Sequence, residues 1–150
     1  MERRYEALRL KNQLCFPIYL CSKELVRRYT PYLDGLGLTY TQYIVMMYFW
    51  EMGGGTAKEV GRTLLLDPST LTPLLRRLEA KGYITRRRSE LDERSVIIEP
   101  TEEGLALRDK ALEIPGKIGA CLALSEDEAA QLYTLACKAL INIEKELDND

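Results

Sequence analysis

Any chemistry in this chain has to be built without imidazole, because its 150 residues include four cysteines and no histidine. That composition removes Cys-His nucleophilic catalysis, His-based acid-base work and nearly all zinc-site patterns, so neither a metal site nor a cofactor is expected. The reactive group left is a thiol. Cys15 stands in the run Leu10-Lys-Asn-Gln-Leu-Cys-Phe-Pro-Ile-Tyr19, and Tyr19 follows it by four residues, so on a continuous helix phenol and thiol share one face. A thiol that senses an oxidant must be largely thiolate and reachable, because the thiolate attacks a peroxide oxygen to give sulfenic acid. Phenol O–H groups aimed at sulfur favour that charged form. The competing reading of Cys15 is a small buried hydrophobe.

Pro17 leaves two geometries open, since a proline is tolerated in the first turn of a helix and kinks one deeper inside. Either a helix running from Leu8 to about Leu33 bends around Cys15, or a new helix begins near Phe16 and places the sulfur at a positively polarised N-terminus. Cys21 is six residues on and faces another way, so a local disulfide is not expected. Cys137, among Leu135, Ala136 and Leu140, reads as core.

The second stretch with chemistry runs from Thr56 to Thr101. Its centre is Asp67-Pro-Ser-Thr-Leu-Thr-Pro-Leu-Leu-Arg-Arg-Leu-Glu-Ala-Lys-Gly82. Leu71, Leu74, Leu75 and Leu78 form one apolar stripe at helical period, Asp67 suits the N-cap, Pro68 the first helical position, and Gly82 the end. A shorter helix precedes it from Thr56, and a basic hairpin follows through Arg86, Arg87, Arg88 and Arg94. Two helices and a basic hairpin are the parts of a winged helix-turn-helix, in which the second helix enters the major groove. Ser69, Thr70, Thr72 and Arg76 are the base-edge candidates. Lys58, Arg62, Arg77 and the hairpin arginines are read as phosphate contacts, which position the protein without reading sequence. The whole chain carries a formal charge of −2, so DNA affinity has to come from this local clustering.

Asp92-Glu-Arg94, followed by Val96 to Thr101-Glu-Glu-Gly104, is similar to the wing motif of the MarR family of bacterial transcription regulators and to the start of that family's next helix. The run around Cys15 resembles the organic-hydroperoxide (OhrR) subgroup. That likeness extends through Tyr29, Pro31-Tyr-Leu-Asp34, Thr39-Tyr-Thr-Gln-Tyr43, Trp50-Glu51, Leu66-Asp67, Thr70-Leu-Thr-Pro73 and Arg86 to Val96, nearly the whole chain. The resemblance implies that Cys15 is the peroxide sensor and that Tyr29 and Tyr40 bond its sulfur across a homodimer. It gives Arg94 a DNA contact, which Asp92 orients. It places Cys121 where some relatives carry a resolving cysteine, whereas others form a mixed disulfide with a small thiol; an inert buried thiol is the alternative for Cys121.

The expected fold class is mainly α with a small β-hairpin: residues 1–150 as one MarR-like domain, with a winged-helix region at 39–101 and dimerisation helices at 1–38 and 102–150. Thr39 to Gln42 reads as a capping box, as does Ser125 to Glu128. Gly53 to Gly55 end the helix between them and suggest a flexible joint. Leu132, Leu135, Ala136, Ala139, Leu140 and Ile143 give the last helix a wide apolar face. With no apolar run of membrane length and no signal-peptide core, a cytoplasmic protein is expected.

The functional expectation is a repressor, not an enzyme, that binds double-stranded operator DNA and releases it when organic hydroperoxide oxidises Cys15. Its main competitor is a repressor induced by a small aromatic ligand, with Cys15 a bystander. A thiol peroxidase would leave the reader helix without a purpose. A winged helix used for protein contacts would lack the steep salt dependence of phosphate binding.

Overall fold

The computed structural model describes residues 2–89 and 96–147. Within them the chain divides into two units, one through Ile114 and one from Pro115.

Two short 3₁₀ stretches, Glu2–Leu8 and Leu10–Asn12, precede the first α-helix, α1 (Cys15–Asp34). A helix continuous from Leu8 is thus not what forms. Pro17 falls in the first turn of α1, where its missing N–H costs no intrahelical bond, and this fixes the start at Cys15.

Helix α2 (Tyr40–Met52) has the capping box read from its sequence: Thr39 accepts from the Gln42 backbone N–H at 3.3 Å, and Gln42 Oε1 accepts from the Thr39 N–H at 3.1 Å. It is the central element of the first unit, with Val45, Met46 and Phe49 fully buried. Gly53 ends it in the left-handed region at φ 76°, a conformation a Cβ would strain.

The glycines after α2 are not a loose joint. Gly55–Thr56 form a short strand, β1, which pairs antiparallel with β3 (Val96–Pro100) in the register Gly55↔Ile98. A Cβ on Gly54 would stand 2.9 Å from Glu99 Cγ and 3.0 Å from Ile98 O, so the glycine permits a close approach of two backbones. The pairing escaped the sequence because a two-residue glycine-rich strand has no alternation to read.

Helix α3 (Ala57–Leu64) opens with a second reciprocal capping box, Thr56 with Glu59, and α4 (Pro68–Ala80) follows after a turn with Leu65 at φ 51°. β2 (Ile84–Arg88) then pairs with β3, giving the sheet order β1-β3-β2. Leu71, Leu74, Leu75 and Leu78 are buried as their spacing predicts, together with Val60 of α3 and Ile84 and Ile98 of the sheet. That burial, at about 2 kcal/mol per large aliphatic side chain, outweighs the interior Pro73 in α4.

Helix α5 (Glu102–Ala111) starts at Thr101, whose hydroxyl accepts from Gly104 N–H at 3.0 Å. Helix α6 spans Ile114–Leu122. In the second unit α7 (Glu126–Leu147) begins at the predicted box, Ser125 with Glu128. Its Leu132, Leu135, Leu140 and Ile143 are exposed in the single chain.

Accepted hydrogen bonds at these caps hold the carboxyl groups of Glu59, Asp67 and Glu128 below their ordinary range. Their contribution is present above the unfolded carboxylate value and is lost as pH falls through the lower folded values. Helical content followed by circular dichroism should therefore fall on acidification below about pH 4, and Asp67→Asn, which keeps a capping oxygen, should reduce that acid sensitivity.

Candidate functional site

Cys15 is the first residue of α1, exposed, in the turn whose unpaired N–H groups give the helix a positive end. Tyr19, one turn on, is also exposed, and among the described residues no hydrogen bond joins the two. Tyr29 is on the same helix, but fourteen residues from Cys15, about 21 Å along the axis at the usual helical rise. There its ring lies 4.9 Å from that of Tyr40 and 5.8 Å from that of Tyr43. The chain therefore brings Tyr29 and Tyr40 together and holds Cys15 far from both.

Tyr43, to which the sequence reading gave no role, is the third ring of this cluster, and its ring centroid lies 6.0 Å from that of Trp50. Its place three residues after Tyr40 on α2 was the available signal. Burial, then the neighbouring phenols, raise the Tyr29 hydroxyl above its ordinary range; burial and Tyr40 do the same for Tyr43. At neutral pH both are therefore intact O–H donors.

The other cysteines are free. Cys21 is exposed on α1, and Cys137 is half-buried on α7. Cys121 is exposed near the end of α6, where its thiol donates to Lys117 O at 3.3 Å.

At the reader, Asp67 accepts from the N–H groups of Ser69 and Thr70 at 3.0 and 3.1 Å, so the cap forms as expected. It also receives the hydroxyl hydrogens of Ser69 and Thr70, and those hydroxyls keep lone pairs for an incoming donor. Ser69, Thr70, Thr72, Arg76 and Arg77 are all exposed.

In the hairpin, strand alternation puts Arg86 on the face of Ile84, where its Nε lies 3.1 Å from Glu79 of α4. Arg87 is bidentate to Glu99 across the strands, 2.9 Å at both contacts, and this pairing holds the Glu99 carboxyl below its usual range. Two arginines counted as phosphate contacts are thus engaged by carboxylates that the sequence did not reveal as partners; Arg88 is exposed at the end of β2. Asp92 and Arg94 lie outside the described residues.

The model of the family described as transcriptional regulator SarA/Rot matches residues 27–110. The chain is 47% identical over 135 residues to the organic hydroperoxide resistance transcriptional regulator of Bacillus subtilis, covering 90% of each protein. It belongs to the MarR family of transcription regulators, in the organic-hydroperoxide subgroup. The fold of this MarR-family regulator matches that of reduced AbfR bound to DNA, with a TM-score of 0.75, 34% identity, and 95% and 99% of the two chains covered. A mutant Escherichia coli MarR complexed with operator DNA superposes at a TM-score of 0.79 with 28% identity over 85% of this chain and 93% of that one. The mainly α winged helix expected from the sequence is thus the fold of the family. No helix among the described residues of this regulator is long and apolar enough to cross a membrane.

Proposed function

We propose that this regulator is a homodimeric, thiol-based repressor that binds a pseudo-palindromic operator when reduced and releases it when organic hydroperoxide oxidises Cys15. The observation that carries the reading is the separation of Cys15 from the Tyr29–Tyr40 pair along α1. The sulfur sits at one end of α1 and the Tyr29–Tyr40 pair lies toward the other, so a second copy is what can bring the phenols to it. A dimer also answers the exposed apolar residues of α7 and the two half-sites of an operator. The Bacillus subtilis relative, named for organic hydroperoxide resistance, supports the choice of effector.

In the chemical step the Cys15 thiolate attacks the terminal oxygen of the hydroperoxide. A sulfur–oxygen bond forms as the oxygen–oxygen bond breaks, sulfur gives up two electrons, and the departing alkoxide takes a proton to leave as the alcohol. The resulting sulfenic acid can then condense with a second thiol, releasing water and forming a disulfide. Cys121 and a small cellular thiol are the two candidates for that role. Oxidation shifts the protein between two conformations only by its different effect on each.

On the DNA side, Ser69, Thr70, Thr72 and Arg76 meet base edges, while Arg77, Arg88 and Arg94 meet the backbone, with Asp92 orienting Arg94. Mixing the reduced protein on its operator with one equivalent of cumene hydroperoxide should release the DNA. Tyr40→Phe, which removes one phenol donor to the thiolate, should slow Cys15 oxidation by about tenfold. An unchanged oxidation rate in this variant would remove Tyr40 from the sensor.

A further inference from the structure

Resting on the redox reading above, we infer that Lys81 is the positioning residue that couples the sensor to the reader helix. Lys81 caps the C-terminus of α4. Its Nζ reaches back across 44 residues of sequence to donate to Gly37 O at 2.5 Å and across 39 to donate to Gln42 Oε1 at 3.2 Å. Gln42 is a buried polar residue of this core, 3% exposed, and the same Oε1 accepts the Thr39 N–H that begins α2. One oxygen therefore ties together the start of the helix that carries Tyr40 and the end of the helix that carries the base-reading side chains.

A second bond runs beside the first. The Tyr83 hydroxyl donates to Leu36 O at 3.3 Å, so both residues that flank Gly82 grip the turn between α1 and α2. Tyr40 directly follows Thr39, and its ring makes a tilted contact with that of Tyr29 in α1. A displacement of the Tyr40 ring moves the first turn of α2, and with it the Gln42 oxygen and the Gly37 carbonyl that hold Lys81. Both acceptors of the Lys81 ammonium lie on this turn, so moving the turn stretches both bonds unless Lys81 moves with it. The end of α4 is thus obliged to follow the turn, or the turn to resist moving.

The test is operator affinity of the full-length protein before and after cumene hydroperoxide, for wild type, Lys81→Met and Lys81→Arg, with Cys15 oxidation followed in parallel by intact mass. A merely structural role for Lys81 would weaken the reduced and oxidised forms alike and leave their affinity ratio unchanged. Coupling through Lys81 predicts instead that Lys81→Met is oxidised at the wild-type rate while the ratio falls from about a hundredfold to within about tenfold. Lys81→Arg, which keeps donors at this place, should recover most of it. A wild-type ratio in Lys81→Met overturns the coupling role and leaves the sensor reading standing. A wild type that keeps its DNA after oxidation of Cys15 overturns both.

Discussion

Cys15→Ser is expected to bind operator within about threefold of wild type and to keep it when cumene hydroperoxide is added, whereas wild type loses about a hundredfold, or roughly 3 kcal/mol. Serine preserves the size and exposure of the first residue of α1 and does not disturb the described core, because Cys15 is exposed. What it removes is the nucleophile: a neutral hydroxyl does not attack a peroxide oxygen, and the remaining thiols at Cys21, Cys121 and Cys137 lack the same place at the start of α1. Fluorescence anisotropy on a labelled operator reads both quantities. A Cys15→Ser protein that leaves DNA as readily as wild type would return the aromatic-ligand reading to first place.

The largest effect on folding is expected at Gly104. A Cβ there would lie 2.0 Å from Tyr83 O, 3.0 Å from the Tyr83 carbonyl carbon and 3.2 Å from Met46 Cε. The obstacle is backbone, and it cannot swing aside. Trp50 Nε1 donates to Gly104 O at 2.8 Å, and the Thr101 hydroxyl receives the Gly104 N–H, so α5 is fixed from both sides. Gly104→Ala should cost about 3 kcal/mol or more, a large share of the total stability of a domain this size. Gly116 in α6 meets nothing within 4 Å, and alanine there should stabilise by up to about 1 kcal/mol. Urea denaturation of the two variants should therefore shift in opposite directions.

Much of the reader was legible because its signals are local. The leucine stripe of α4, the Asp67 cap and the boxes at Thr39 and Ser125 each depend on residues within a turn or two, and all formed as read. The bonds that tie elements together were not legible. Nothing near Glu79, Glu99 or Gln42 in sequence says that Arg86, Arg87 and Lys81 will meet them, since those pairings exist only after the sheet and helices pack. The glycine run after α2 misled for a related reason: flexibility is a property of glycine alone, whereas the contact of Gly54 with Glu99 and Ile98 belongs to the fold. Around Cys15, Pro17 left two helix geometries open; α1 begins at Cys15, with the proline in its first turn. Tyr29 and Tyr40 meet in this chain, and Cys15 stands at the far end of the helix that carries Tyr29.

The central claim is that one organic hydroperoxide molecule converts Cys15 and thereby frees the operator. Intact and peptide mass spectrometry of the DNA-bound protein, after one equivalent of cumene hydroperoxide and with release followed in the same sample, tests it most directly. The account predicts a gain of one oxygen on the Cys15 peptide, or a disulfide from Cys15 to Cys121 or to an added small thiol, rising in step with loss of DNA. Release of DNA with Cys15 unmodified, or full oxidation of Cys15 with the operator still bound, would contradict it.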